Sequence, residues 1–150
     1  AIYSTSNIFT DHLVSAIRSA DMSRFREMWR SCDVLILDDI EHFSKKGATQ
    51  EEFFHTFNTL HLAGKQIILS ANVPPSELQQ IEPRLVSRFE WGIVVPLKPL
   101  TKEHYTAMLQ KKAEALKVQL PPKVASYLID FFQSSPKALM QGLEALVLRM

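Results

Sequence analysis

Cysteine and glycine are the scarcest things in this chain. Of 150 residues one is cysteine, Cys32, and four are glycine. A single thiol excludes a disulfide framework, and a reducing cytoplasm is the expected location. Four glycines leave little material for a glycine-rich phosphate loop. The one Gly-Lys pair, Gly64-Lys65, is followed by Gln66 and has Thr59 where the loop's first glycine would stand. The pattern Gly-x-x-x-x-Gly-Lys-Ser/Thr, whose backbone amides cradle phosphates, is therefore missing from these residues. Apolar runs are short, and none approaches the roughly 18 residues that span a bilayer. No charged-then-apolar signal segment opens the chain; Ile2-Tyr-Ser-Thr5 reads as a strand already under way, so the protein is expected to begin further upstream. Charge of one sign is lacking too. A net charge of +1 excludes the broad basic footprint of a dedicated nucleic-acid binder, so any such contact must be local. The histidines at 12, 42, 55, 61 and 104 form no His-Glu-x-x-His or paired Cys/His spacing, which argues against a zinc site.

What is present is an alternation. Short apolar runs at Ile2 to Thr5, Val34 to Leu37, Gln66 to Ala71 and Gly92 to Leu97 read as four strands separated by helical stretches, the pattern of an α/β domain with a parallel sheet. Their near-continuous apolar character predicts cover on both faces. Phe9, Leu13, Ala16 and Ile17 predict one buried helix face, and Phe53, Phe57 and Leu60 another, with Gly64 where that helix stops. After Pro99 the strands cease. Thr101, Pro121-Pro122 and Ser135-Pro136 each open a helical pattern, with a capping hydroxyl or a proline in the first turn. Leu139, Leu143, Leu146 and Val147 form the apolar stripe of the last one. The reading is an α/β core over residues 1–99 and a small all-helical subdomain over 100–150.

The residues that could carry chemistry lie at strand ends, because ligands of open parallel sheets collect at the carboxyl edge. Val34-Leu-Ile-Leu-Asp-Asp-Ile-Glu41 places two adjacent carboxylates there. One aspartate, Asp38, can hold Mg²⁺ while its neighbour, Asp39, orients a water for attack on a phosphate, which is the layout of a Walker B strand. The same letters also describe an ordinary strand end that caps the next element. Asn72, at the tip of the following strand, could hold that water or touch a terminal phosphate, or could simply be a turn asparagine. Arg84 and Arg88 fall four residues apart on one helix face, beside Phe89 and Trp91 as anchors. They read either as phosphate-reaching arginines or as a surface ion pair. Lys137 sits in the first turn of the last helix, where the macrodipole disfavours a cation unless a phosphate is near; a solvated lysine is the plainer reading. Cys32 reads as an inert residue before a buried strand.

The order of these segments resembles the AAA+ domain of the bacterial replication initiator DnaA family. Gln50-Glu-Glu-Phe-Phe-His-Thr-Phe-Asn58 and Arg84-Leu-Val-Ser-Arg-Phe-Glu-Trp-Gly92 carry the resemblance, with Gly64-Lys-Gln-Ile-Ile-Leu-Ser70 between them and Phe25-Arg-Glu-Met-Trp-Arg-Ser31 before the Walker B strand. It spans essentially the whole chain. It implies an AAA+ parallel sheet with flanking helices followed by a helical lid, with ATP and Mg²⁺ as cofactors. By position, it makes Asp38 the metal carboxylate, Asp39 the partner that orients water, and Asn72 the first sensor, where the family usually has aspartate. It makes Arg88 the arginine finger and Arg84 a subunit-contact arginine. Lys137 stands at the second sensor's arginine, inside Ser135-Pro-Lys-Ala-Leu-Met-Gln141 rather than the family's Asn-Val-Arg-Glu-Leu-Glu-Gly. Val14 and Lys46 match positions that contact single-stranded DNA, while Ala48 replaces an expected basic residue there.

The resemblance implies nucleotide-dependent self-association, origin DNA and single-stranded DNA as partners, and contacts with other initiator or helicase-loading proteins. The family's phosphate loop lies just before the strand that opens this chain, and its duplex-reading helix-turn-helix domain lies beyond the end. These 150 residues alone are accordingly expected not to hydrolyse ATP. Two readings compete with an initiator core. One is a non-enzymatic DnaA-like regulator or adaptor that docks on the initiator. The other is a clamp-loader-like AAA+ subunit, which leaves Gln50 to Asn58 unexplained.

Overall fold

The computed structural model describes residues 1–132 and 135–149. They form two compact units, Ala1–Pro96 and Leu97–Met150.

In the first unit three strands, β1 (Ile2–Thr5), β2 (Val34–Asp38) and β3 (Gln66–Leu69), make a parallel sheet in the order β1-β2-β3. Ile2 pairs with Leu35 and Thr5 with Asp38, and Leu35 pairs with Ile67. Helix α1 (Ser6–Arg18) follows β1 without a loop, its first turn capped by the Thr5 hydroxyl, which accepts from the Ile8 amide. Helix α2 (Met22–Arg30) is capped in the same way by Asp21. After a 3-10 turn at Ile40–Phe43, helix α3 (Gly47–Leu62) runs until Gly64, whose φ of +67° turns the chain in the left-handed region that glycine enters at least cost. Helix α4 (Pro83–Glu90) begins with proline at its first position, where the missing N–H costs nothing.

Phe9 is the hub of the core. Its ring meets those of Phe25, Trp29, Phe43 and Phe53 edge-on at 4.8–5.8 Å between centroids. Glu52, buried on α3, takes a forked contact from Arg26 at 3.1 Å and a second from Arg30, which ties α2 to α3. Two expectations need correction. Among the described residues the sheet is covered on one face: Leu35 and Leu37 are fully buried and their neighbours Ile67 and Leu69 pack on the same core, whereas Tyr3 and Ile68 on the other face are 68% and 47% exposed. Apolar strand sequence reports what a strand tolerates, and the helices of this unit that join the core all contribute to the Leu35 side. The expected fourth strand is also absent among the described residues. Residues 93–97 have no ladder, with Ile93 93% and Leu97 92% exposed. Strand propensity needs a partner strand to express itself, and Pro96 has no N–H to offer one. In α1, Phe9, Leu13 and Ala16 are buried as expected, but Ile17 is exposed.

The second unit is three helices, α5 (Lys102–Ala115), α6 (Pro122–Phe131) and α7 (Pro136–Val147). Thr101 caps α5 with a reciprocal bond from His104, and Ser135 caps α7. Leu109, Ala113, Leu128, Ile129, Leu139 and Leu143 form its core, Val147 packs against it, and Leu146 stays at the rim. Gly142 is there for space: a Cβ on it would stand 2.5 Å from the Phe132 ring.

Candidate active site

Side chains alternate along a strand, so Asp38 at the end of β2 shares the open face of the sheet with Ile36 and with Ile36's partner on β1, Tyr3. That register lets the Tyr3 hydroxyl donate to Asp38 Oδ2 at 2.6 Å. From the other side Ser70, the residue after β3, donates its hydroxyl to Asp38 Oδ1 at 2.8 Å. The Tyr3 bond, and then the Ser70 bond, hold the Asp38 carboxyl below the usual carboxylate range, and the same contact pushes the Tyr3 phenol up.

The chain turns sharply at the next residue. Asp39 has φ +60° and ψ +48°, a left-handed conformation that aspartate tolerates better than most side chains. Three bonds hold it there. Buried Ser6 donates to the Asp39 carbonyl at 2.6 Å, the Asp39 amide donates to Ser70 Oγ at 3.3 Å, and the Ile40 amide donates to the Ser70 carbonyl at 3.0 Å. Ser70 thus serves both aspartates. The exposed Asp39 carboxylate makes no hydrogen bond among the described residues, so it is open to water. The two carboxylates therefore have different settings, one clamped and one free.

Asp38 keeps a spare lone pair on each oxygen. No cluster of three or more His, Cys, Asp or Glu exists among the described residues to cage a metal. One clamped carboxylate fits a hydrated hard cation such as Mg²⁺, which takes one or two carboxylates and completes its shell with water and phosphate oxygens. The residues fit ATP in part: the sheet edge supplies two carboxylates, no contact among the described residues joins Asn72, Arg84 or Arg88 to them, and the backbone cradle for the phosphates is not among these 150 residues.

Asn72 is exposed in the bend two residues beyond Ser70, and its side chain bonds to nothing among the described residues. On α4, Arg84 and Arg88 both lie over Phe54, at 4.7 and 5.7 Å from its centroid, and Arg88 lies 3.9 Å over Trp91. Arg84 also bonds Glu82 at 2.5 Å. Phe89 is buried as the expected anchor, whereas Trp91 is 63% exposed and supports the arginine rather than the core. Lys46 reaches Asn7 at the start of α1 with 3.4 Å between Nζ and Oδ1. Val14, exposed two turns further along α1, lies on the same side of that helix as Asn7. Lys137 is exposed in the first turn of α7, in the second unit.

Sequence reasoning missed Tyr3, Ser6, Ser70 and Gln50. Gln50 is buried, with its amide nitrogen donating to the Phe43 and Gln80 carbonyls at 2.8 and 2.9 Å and its oxygen accepting from the Glu82 amide at 2.8 Å. It ties the segment after β2 to the residue that starts α4. Period-two counting along β1 would have placed Tyr3 on the Asp38 face; nothing in the sequence marks Gln50 as buried.

Residues 1–96 match the family described as the bacterial DnaA ATPase domain. The chain is 62% identical over 149 residues to chromosomal replication initiator protein DnaA 2 of Protochlamydia amoebophila, covering 99% of this chain and 33% of that protein. It is 47% identical over 148 residues to DnaA 1 of Chlamydia trachomatis, covering 99% of this chain and 32% of that one. The chain thus spans about a third of the length of the curated relatives it matches. Among solved structures, a replication initiator DnaA bound to AMPPCP and single-stranded DNA superposes with a TM-score of 0.92 at 35% identity, over 98% of this chain and 46% of that one. Domain III of Thermotoga maritima DnaA gives 0.91 at 32% identity, over 98% and 62%.

Proposed function

The chain belongs to the bacterial DnaA ATPase-domain family, and from that premise we propose that it is the nucleotide-handling and assembly core of a chromosomal replication initiator. The observation that carries the reading is the asymmetric carboxylate pair at the end of β2, Asp38 clamped by two hydroxyls and Asp39 free on a strained turn. Bound Mg²⁺ would supply charge neutralisation across the phosphate oxygens of ATP. Asp38 would hold that ion from the sheet edge. Asp39 accepts a hydrogen bond from the attacking water and orients it. Asn72, next along the carboxyl edge, adds a neutral amide to the same water or to the terminal phosphate.

Arg88, stacked on Trp91, is the finger offered to a neighbouring subunit's nucleotide, and Arg84 beside it contacts that subunit. Lys137 gives the second sensor a point charge without the guanidinium fork. Val14 and Lys46 contact single-stranded DNA, Val14 through apolar area and Lys46 through phosphate charge, in support of origin opening. The solved relative bound to AMPPCP and single-stranded DNA supports both ligands. Self-association, contacts with helicase-loading proteins and a cytoplasmic location complete the reading, and no helix among the described residues is long and apolar enough to cross a membrane.

Sedimentation of the full-length gene product with MgATP tests it. Wild type should assemble, whereas Arg88→Ala should keep nucleotide affinity within a few-fold and lose assembly, through a charge-assisted contact worth about 2–3 kcal/mol at each interface. Assembly of the Arg88→Ala protein at wild-type concentrations would instead favour the regulator reading.

A further inference from the structure

We propose that Tyr3 and Ser70 are positioning residues for Asp38: two hydroxyls, delivered by the strands on either side of β2, fix the orientation in which its carboxylate meets a metal ion. The inference rests on the reading of Asp38 as the Mg²⁺ carboxylate. An aspartate at a strand tip has two free torsions and would otherwise sample several rotamers. Here each oxygen is taken by a different neighbour, Oδ2 by Tyr3 at 2.6 Å and Oδ1 by Ser70 at 2.8 Å. The carboxylate is therefore held on both sides at once.

The contacts are not forced by packing. Tyr3 is 68% exposed, so water could satisfy its hydroxyl and the core would not suffer if the ring turned away. Its position follows from register: Tyr3 pairs with Ile36, two residues before Asp38 on the same face, which brings the length of a phenol ring to the end of the strand. Ser70 has a second duty, because its oxygen accepts from the Asp39 amide at 3.3 Å. One hydroxyl thereby sets the clamped carboxylate and the backbone of the free one. Such outer partners of metal-binding carboxylates orient the ligand and commonly change metal affinity 10–100-fold when removed.

The test is nucleotide affinity of the full-length gene product, titrated with Mg²⁺ and separately in EDTA, with a fluorescent ATP analogue as probe. Tyr3→Phe keeps the ring and, being exposed, should keep the melting temperature. It should raise the Mg²⁺ concentration for half-maximal binding about ten-fold and leave affinity in EDTA unchanged. Ser70→Ala should do the same, and Ser70→Thr, which restores the hydroxyl, should return to wild type. Asp38→Asn is the reference and should abolish the Mg²⁺ dependence. A Tyr3→Phe protein with the wild-type Mg²⁺ midpoint, alongside a defective Asp38→Asn, would overturn the positioning role and leave the reading of Asp38 standing. Equal loss in Mg²⁺ and in EDTA would also overturn it, since the clamp acts only through the metal. An Asp38→Asn protein indistinguishable from wild type would remove the reading of Asp38 and the proposal together.

Discussion

The guanidinium carbon of Arg88 lies 3.9 Å from the centre of the Trp91 ring, nearer than Arg84 lies to Phe54 at 4.7 Å. Trp91 is the C-cap of α4, its amide donating to the Arg88 carbonyl at 3.3 Å, so the ring that supports the arginine is also fastened to its backbone. The side chain proposed to reach another subunit is thus held in place by its own helix, which lowers the entropy cost of ordering it on assembly.

Trp91→Ala should therefore weaken assembly without unfolding the chain, because most of the ring is exposed. An exposed cation–π contact is worth about 0.5–1 kcal/mol, which is roughly a two- to five-fold loss in association constant per interface. Trp91→Phe should recover part of it. Sedimentation with MgATP measures the ordering wild type, Phe, Ala, and Arg88→Ala last; a Trp91→Ala protein that assembles like wild type would show that the stacking does not preorganise the finger.

Gln50 makes the opposite kind of prediction. Replacing it with leucine removes its bonds to the Phe43 and Gln80 carbonyls, which keep the Lys46 and Lys45 amides as donors, and leaves the Glu82 amide without its acceptor. One stranded buried donor costs about 1–3 kcal/mol, and the two carbonyls retain a donor each, so a total loss of about 1–3 kcal/mol is expected. Urea unfolding of the chain gives the number. A loss under about 1 kcal/mol would mean that the loops re-satisfy themselves and that Gln50 does not join them.

These two sites show what the sequence displays and what it hides. Strands β1 and β2, the helix stop at Gly64 and the caps at Thr101 and Ser135 were legible, because each rests on a local preference of the backbone. So was the Asp38-Asp39 pair, since two carboxylates after an apolar run are visible as letters. The missing fourth strand was not legible: Ile93 to Leu97 has the composition of a strand, but pairing depends on a neighbour that composition cannot report. Tyr3 and Ser70 were hidden for a related reason, as they meet Asp38 only through the register of three strands. Gln50 stood inside the most family-specific stretch of the chain, yet its three bonds become visible only when Phe43, Gln80 and Glu82 are brought around it.

Gly142 tests packing in the second unit. An added Cβ would meet Phe132 Cε2 at 2.5 Å and Cζ at 2.9 Å, both inside contact distance. Gly142→Ala gains about 1 kcal/mol of helix propensity, and overpacking costs about 1–3 kcal/mol, so a net loss is expected. Shortening the obstruction should reverse the sign: in a Phe132→Leu background, Gly142→Ala should be neutral or stabilising. The double-mutant cycle, read by thermal melting, isolates the contact, and additive effects would place the ring elsewhere.

The central claim is a composite site, with Asp39 acting on the nucleotide of its own subunit and Arg88 on that of the next. Mixing two defective full-length proteins tests it most directly. Asp39→Asn and Arg88→Ala should each be nearly inactive as ATPases alone. In an equal mixture, an interface is competent when an Arg88→Ala subunit holds the nucleotide and an Asp39→Asn subunit supplies the arginine, a pairing that keeps the Arg88 contact and is one of the four head-to-tail combinations, about a quarter. The account predicts that hydrolysis returns on mixing, up to roughly that fraction of wild type. No recovery at any ratio, with both proteins folded and binding ATP, would contradict it and place Arg88 and Asp39 in the same subunit's chemistry or in none.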